Sequence, residues 1–348
     1  MEVDYIIVGI GIAGISFCEQ LRANGKSFVV FDDGSQQSST VAGGLYNPVV
    51  LKRFTSVWKS TEQLDIALPL YAGIEKRLNL KLDYKIPVYR KFASLEEQND
   101  WFSASDKPLL TRYLSTNIIK NINKAIYAPF GFGEVLETGR IDVNTMIKGY
   151  KAELTEGNIL MESTFNYESL HITDEALGYK DITAKYIVFA EGSGIRLNPF
   201  FNTLPLNPAK GELLTIHAPD LNIDFVLKAG VFLIPLGYDL YIVGATYEWK
   251  DLTYETTVKA KETLLEKLDK LIIDCPYKVV QQVAGIRPTV KDRRPLVGSH
   301  SKHKNLYVLN GLGTRGVMIG PYVAKQLYNF IEGNVSLEKV VDIKRFNL

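Results

Sequence analysis

The chain has 348 residues, 46% of them apolar and 23% charged, an ordinary globular make-up with room for about two domains. A net charge of +1 gives no overall pull toward nucleic acid or an anionic membrane. Two cysteines and four histidines, without ligand spacing, exclude a disulfide framework and point to no metal.

Tyr5–Val8 reads as a buried parallel strand. A helix over Ala13–Asn24 follows, stopped by Gly25, and Ser27–Phe31 reads as a second buried strand ending at Asp32. The start of the chain shows no basic n-region and no cleavage site, and its apolar stretch is too short to span a bilayer. A cytoplasmic protein with no membrane partner is expected.

After the loop "DDGSQQSSTVAGGLYNPVV", helices are expected over Thr61–Asn79 and Ser94–Ser105, with a short strand at Ile86–Arg90 between them. Near Glu134 a recognisable unit returns. Val143, Met146, Ile147, Tyr150 and Leu154 share one helical face, with Asp142 as the N-cap. Residues 164–184 turn like a small meander, and "AKYIVFAEGSG" is another buried strand running into glycines. Residues 205–250 are strand-rich. Thr256–Asp274 reads as an amphipathic helix with Leu264, Leu265, Leu268, Leu271 and Ile272 inward. The end, "NLYVLNGLGTRGVMIGPYVAKQLYNFI", is again strand then helix.

Strand–helix units at the start, middle and end imply two interleaved, discontinuous domains. One is an α/β, Rossmann-type dinucleotide-binding domain over residues 1–55, 134–204 and 280–348. The other is an α+β substrate domain over 56–133 and 205–279, built on a mixed or antiparallel sheet.

Gly9-Ile10-Gly11-Ile12-Ala13-Gly14 fits GxGxxG between a strand and a helix. Gly9 permits the tight turn, Gly11 lets backbone approach a pyrophosphate, and Gly14 allows close helix–strand packing. The helix N-terminus, with Ile12 and Ala13, faces the phosphates. Asp32 stands where an acid meets ribose hydroxyls, which argues against a 2′-phosphate; the alternative is a plain "DDG" turn. On these residues alone, nicotinamide and flavin dinucleotides both remain open.

"SSTVAGGLYNP", "GRIDVNTMIKGY", "AKYIVFAEGSG", "AKGELL", "GATYEW", "GIRPTVKDRRPLVG" and "NGLGTRGVMIGP" occur in an order that resembles the D-amino-acid oxidase/glycine oxidase superfamily of FAD enzymes over nearly the whole chain. "GGLYNP", "GATYEW" and "GLGTRG" most resemble the oxidase half of the bifunctional tRNA 5-methylaminomethyl-2-thiouridine biosynthesis proteins. No segment resembling the methyltransferase half is recognised in these 348 residues, and Asp32 stands where that family often has Glu. The resemblance implies a glycine-oxidase-like fold with FAD held by Thr40, Gly43, Gly44 and Leu45, by Ala190, Glu191 and Gly192, and by Gly311, Gly313, Thr314, Arg315 and Gly316. A helix N-terminus at "GLGTRG" would stabilise negative charge on a reduced flavin. Neither cysteine and no histidine matches a covalent-flavin motif, so non-covalent FAD is expected.

Amino-acid oxidation needs a substrate carboxylate handle more than acid–base machinery. Arg287 in "GIRP" is the expected handle, since a guanidinium grips a carboxylate bidentately; it also matches the family's carboxylate arginine. Its alternative is an ion pair with Asp292. Arg315 and Tyr247 are further catalytic candidates, and Trp249 is a second candidate lining residue. Arg315 stays divided between site and structure, and the two aromatics between site and core. The expected activity is oxidation of the C–N bond of glycine, an N-substituted glycine or a small amino acid, by hydride transfer from Cα to flavin N5. The alternatives are action on carboxymethylaminomethyl-uridine of tRNA, supported by the basic stretch 286–304, and a non-catalytic flavin-binding module.

Overall fold

The computed structural model describes residues 1–346. Glu2–Val8 lies at the centre of an eight-stranded sheet. Parallel neighbours Phe28–Phe31 and Leu160–Met161 lie on one side, and Ile182–Phe189 and Leu306–Asn310 on the other. The meander Leu170–Ile172 and Leu177–Tyr179 joins Ile182–Phe189 antiparallel, and Leu296–Ser299 joins Leu306–Asn310 antiparallel. The central strands are apolar on both faces because both are covered. Tyr5, Ile7, Val30 and Leu309 enter one core, while Ile6, Val8, Val29, Phe31 and Val308 enter the other.

The described residues form six α-helices: α1 (Ile12–Ala23), α2 (Ser60–Leu78), α3 (Leu95–Ser105), α4 (Val143–Glu156), α5 (Val258–Asp269) and α6 (Gly316–Gly333). Asp142 caps α4 by accepting from the Thr145 amide, and the expected face is the buried one. α1 and α6 pack closely. A Cβ at Gly320 would stand 2.9 Å from Ile12 Cγ2.

The second sheet also has eight strands, in the order Lys278–Arg287, Ala209–His217, Leu240–Gly244, Phe232–Gly237, Val226–Lys228, Val88–Lys91, Phe132–Val135 and Leu114–Ile119. All pairs are antiparallel except Val226–Lys228 with Val88–Lys91, so the sheet is mixed. Leu264 and Leu268 of α5 cover its back with Leu214, Ile216, Leu233 and Val243. Its front carries Phe232, Ile234 and Ile242 toward the first sheet's loops.

Two expectations change in detail. The boundaries expected near 134 and 280 fall inside strands of this second sheet, so the chain crosses over only after Val135 and after Arg287. α5 is shorter than Thr256–Asp274: Thr257 is its cap and it ends at Asp269. Leu271 and Ile272 are buried beyond the helix instead, where Tyr127 N donates to Leu271 O and Ile273 N to Ala125 O. The chain leaves the helix to bury both side chains and pair their backbone.

Candidate active site

A cavity of about 770 Å³ lies between the two sheets. The strand Glu2–Val8 delivers the chain to Gly9, whose φ of +98° and approach to the Ala190 carbonyl (2.6 Å from a Cβ built there) admit only glycine. Gly11 is the N-cap position of α1 and offers no side-chain cap, and the Ser39 hydroxyl accepts from the Ile12 amide at 3.2 Å. Arg315 is the N-cap position of α6, also without a side-chain cap. Ala13 and Val317, in the first turns of these helices, both line the cavity. Such helix ends present unpaired N–H groups and partial positive charge. The loop between them is wedged in place. Gly44 has φ +69° and a Cβ there would lie 1.9 Å from Ile141 O, while one on Gly43 would meet Ile234 Cδ1 at 3.0 Å. Two helix N-termini and a close glycine loop around one cavity suit a dinucleotide diphosphate and an electron-rich ring.

Of the residues expected to hold the cofactor, Gly9, Gly11, Ile12, Ala13, Asp32, Gly43, Gly44, Leu45, Ala190, Glu191, Gly192, Gly313, Thr314, Arg315 and Gly316 line this cavity. Gly14, Thr40 and Gly311 are not among the lining residues. Gly14 serves packing, since a Cβ there would fall 2.0 Å from Gly9 O. The Thr40 hydroxyl turns back to donate to Gln37 O at 2.8 Å. Gly311 (φ +73°) packs against Val290 and Leu296.

Asp32 is not a free acid. Its Oδ1 accepts from Ile10 N at 3.2 Å and its Oδ2 from Gly34 N at 3.2 Å, and Lys151 of α4 forms an ion pair with it. Asp33, unassigned from the sequence, also lines the cavity; Ser35 and Thr164 hold its carboxyl below the usual range. Glu191 is buried, accepting from the Tyr167 hydroxyl and from Asn198 Nδ2 at 2.8 Å. Burial pushes its carboxyl up to about 7.

Arg287, which also lines the cavity, closes the strand Lys278–Arg287. Its guanidinium lies 4.4 Å from the Tyr247 ring centroid, and Nη1 donates to Thr246 O at 3.2 Å. Asp292 pairs with Arg345 at 2.9 Å, which removes the ion pair considered for Arg287. Among the described residues, neither Arg287 nor Arg315 has a carboxylate within 4.0 Å. Burial lowers the pKa of both, and both feel the Tyr247 phenol. Tyr247 and Trp249 are 52% and 57% exposed, with rings stacked at 6.0 Å and 24°, so they are not core residues. Tyr247 lines the cavity; Trp249 is not among the lining residues.

Three residues here escaped sequence reasoning. Gly211 leaves the space Arg287 occupies: a Cβ on it would lie 2.0 Å from Nη2 and 2.2 Å from Cζ. Lys210 fastens the segment that carries Tyr247, and the Glu212 side chain ties the start of α5 to the strand Lys278–Arg287. The Lys210 ammonium meets Asp251 at 2.5 Å, and its backbone exchanges hydrogen bonds with Glu248. The Glu212 carboxylate accepts from Thr257 N, Thr257 Oγ1 and Gln282 Nε2 at 2.7–2.9 Å. "AKGELL" holds all three, and the two charges inside an apolar strand were the available signal.

The basic stretch 286–304 is divided. Arg293 is exposed and lines the cavity, but Arg294 stacks on Trp58 and His300 stacks on His303 beside Phe200 and Phe201. Cys18 and Cys275 are buried free thiols, and no cysteine or histidine is among the lining residues. No group of described residues is arranged to hold a metal, and no helix among them is long and apolar enough to cross a membrane.

A family model described as FAD dependent oxidoreductase matches residues 4–329. The glycine oxidase of Bacillus subtilis is 22% identical, the match covering 91% of this chain and 89% of that protein. The tRNA 5-methylaminomethyl-2-thiouridine biosynthesis bifunctional protein of Azoarcus is 24% identical over 94% of this chain and 56% of that protein. The crystal structure of glycine oxidase from Geobacillus kaustophilus superposes with a TM-score of 0.76 at 18% identity, covering 97% of each chain.

Proposed function

The chain belongs to the FAD dependent oxidoreductase family, and from that premise we propose that it oxidises the C–N bond of glycine, an N-substituted glycine or a small amino acid. The first sheet with its helices is the FAD-binding domain and the second sheet the substrate domain. FAD, bound non-covalently, would supply the acceptor for the Cα hydride, leaving an imine that water would hydrolyse. The residues Gly9–Ala13, Gly43–Leu45, Ala190–Gly192 and Gly313–Gly316 would hold that cofactor. Arg287 binds the substrate carboxylate, Tyr247 covers the guanidinium and excludes water from it, and Arg315 adds positive charge at the same end.

The observation that carries this reading is a pair of arginines in the cavity, Arg287 and Arg315, with no acidic partner among the described residues. A desolvated guanidinium without a counter-ion is costly, and a carboxylate ligand offsets that cost with paired, charge-assisted hydrogen bonds. The test is anaerobic addition of glycine, sarcosine and other small amino acids to the purified yellow protein. Bleaching of the flavin band by one of them is expected. Arg287→Ala and Arg287→Lys should stay yellow and lose most of that reduction. An Ala variant reduced as efficiently as wild type rules the role out.

A second reading, a carboxymethylaminomethyl-uridine of tRNA as substrate, is favoured by the exposed Tyr247–Trp249 stack, whose Tyr247 lines the same cavity as the exposed Arg293. Stacked aromatics near cations are a platform for a nucleobase and its phosphates. Mass spectrometry of wobble uridines from a deletion strain decides it. Accumulation of the carboxymethylaminomethyl form supports this reading, and an unchanged level eliminates it.

A further inference from the structure

We propose that the cavity contains a second anion subsite, formed by Lys228 with Lys267, for an anionic group at the far end of the substrate's N-substituent. The inference rests on the reading of Arg287 as the anchor of the substrate carboxylate.

Lys228 ends the strand Val226–Lys228, is half-buried, and lines the same cavity as Arg287. Its ammonium lies 4.1 Å from the ring centroid of Phe232, its cross-strand partner. Lys267, exposed on the last turn of α5, lines the cavity as well. Gly230, also exposed and lining, marks where this end meets solvent. Among the described residues neither lysine has a carboxylate within 4.0 Å, and Arg90, the register partner of Lys228, is already paired with Glu97. Burial, with the like charges of Arg90 and Lys267, lowers the Lys228 ammonium to about 8. A half-buried cation among cations, facing a cavity, is relieved by an incoming anion and by little else nearby.

Arg287 and Lys228 stand on the first and fifth strands of the second sheet's order. Lys228 is level with Leu213 across the register and Arg287 with Ala209, so four strand spacings of about 4.8 Å and four residues of about 3.4 Å separate their backbones by roughly 23 Å. The guanidinium lies against Gly211 and the ammonium over Phe232, two strands apart, which leaves on the order of 10 Å between the charged heads. A glycine carboxylate alone cannot span that gap. The ligand class is therefore an extended dianion: an amino acid whose nitrogen carries an arm ending in a carboxylate or a phosphate.

The test titrates the holoprotein with dicarboxylates from succinate to sebacate and with monocarboxylates of equal length, such as octanoate against suberate, following the flavin absorption band. A dicarboxylate of matching length is expected to bind about tenfold tighter than its monocarboxylate counterpart, the worth of one added charged contact. Lys228→Met should abolish that ratio and Lys228→Arg should keep it. A phosphonate-ended monocarboxylate of the same length tells phosphate from carboxylate by which binds tighter. If monocarboxylates bind and no dicarboxylate gains over them, or if the gain survives Lys228→Met, the second subsite is wrong. If no carboxylate of either kind binds, the Arg287 reading fails and this inference falls with it.

Discussion

Gly211→Ala separates the carboxylate site from the stability of the fold. A Cβ at this position would lie 2.0–2.2 Å from three atoms of the Arg287 guanidinium. These are the three nearest atoms, and all belong to one side chain. The guanidinium is the free end of a flexible side chain, and it is the part that moves. Alanine in a strand interior otherwise costs less chain entropy than glycine, by roughly 0.5–1 kcal/mol. Stability should thus be unchanged or slightly higher. Binding moves the other way: losing a desolvated charged partner costs about 2–5 kcal/mol, and the lower end applies because the swung arginine keeps some long-range attraction. About 2 kcal/mol is roughly a thirtyfold rise in Kd. The assay is acetate or glycolate titration of the holoprotein by flavin difference spectra, beside a thermal melt of the same sample. A variant that binds carboxylates like wild type refutes the seating of Arg287 against Gly211. A variant that loses binding only because it melts early refutes the steric argument as well.

Gly44→Ala should act on the fold instead. Its Cβ would strike the Ile141 carbonyl at 1.9 Å in a backbone of φ +69°, at a cost of about 1–3 kcal/mol from the conformation alone. A lower melting temperature and weaker flavin retention are expected; wild-type melting would show the loop to be differently placed. Glu191 sets a pH dependence. Its carboxyl is pushed up from 4.5 to about 7, chiefly by burial, so the folded chain holds a proton that the unfolded chain releases. Its contribution is full below about 4.5 and is lost as pH rises through about 7, by about 3 kcal/mol in all. Glu191→Gln should flatten the urea midpoint between about pH 5 and about pH 8, and equal slopes for both proteins would remove Glu191 as the source.

Much was legible where the signal is local. The glycine loop after Tyr5–Val8 must turn sharply, and the apolar face of 143–154 repeats at helical spacing with Asp142 before it. These patterns need only neighbouring residues, and the structure shows the same turn, face and cap. Arg287 was chosen by motif, and the cavity includes it. Less was legible wherever two distant segments meet. The ion pair of Asp32 with Lys151 was not legible because Lys151, on α4, has no sequence link to it. The end of α5 was missed because Leu271 and Ile272 are buried by pairing around Ala125 and Tyr127, not by helical periodicity.

By itself, then, the amino-acid order determined the strand–helix units, their turns and the kind of group a glycine loop at a helix N-terminus holds, since these follow from backbone sterics and side-chain period. The tertiary structure alone decided which charges are paired and which are left facing the cavity. Arg287 is opposite Ala209, two residues from Gly211, only because the two strands pair in that register. A register is settled by the whole sheet's packing, and with it the space that lets one arginine lie unpaired beside Tyr247.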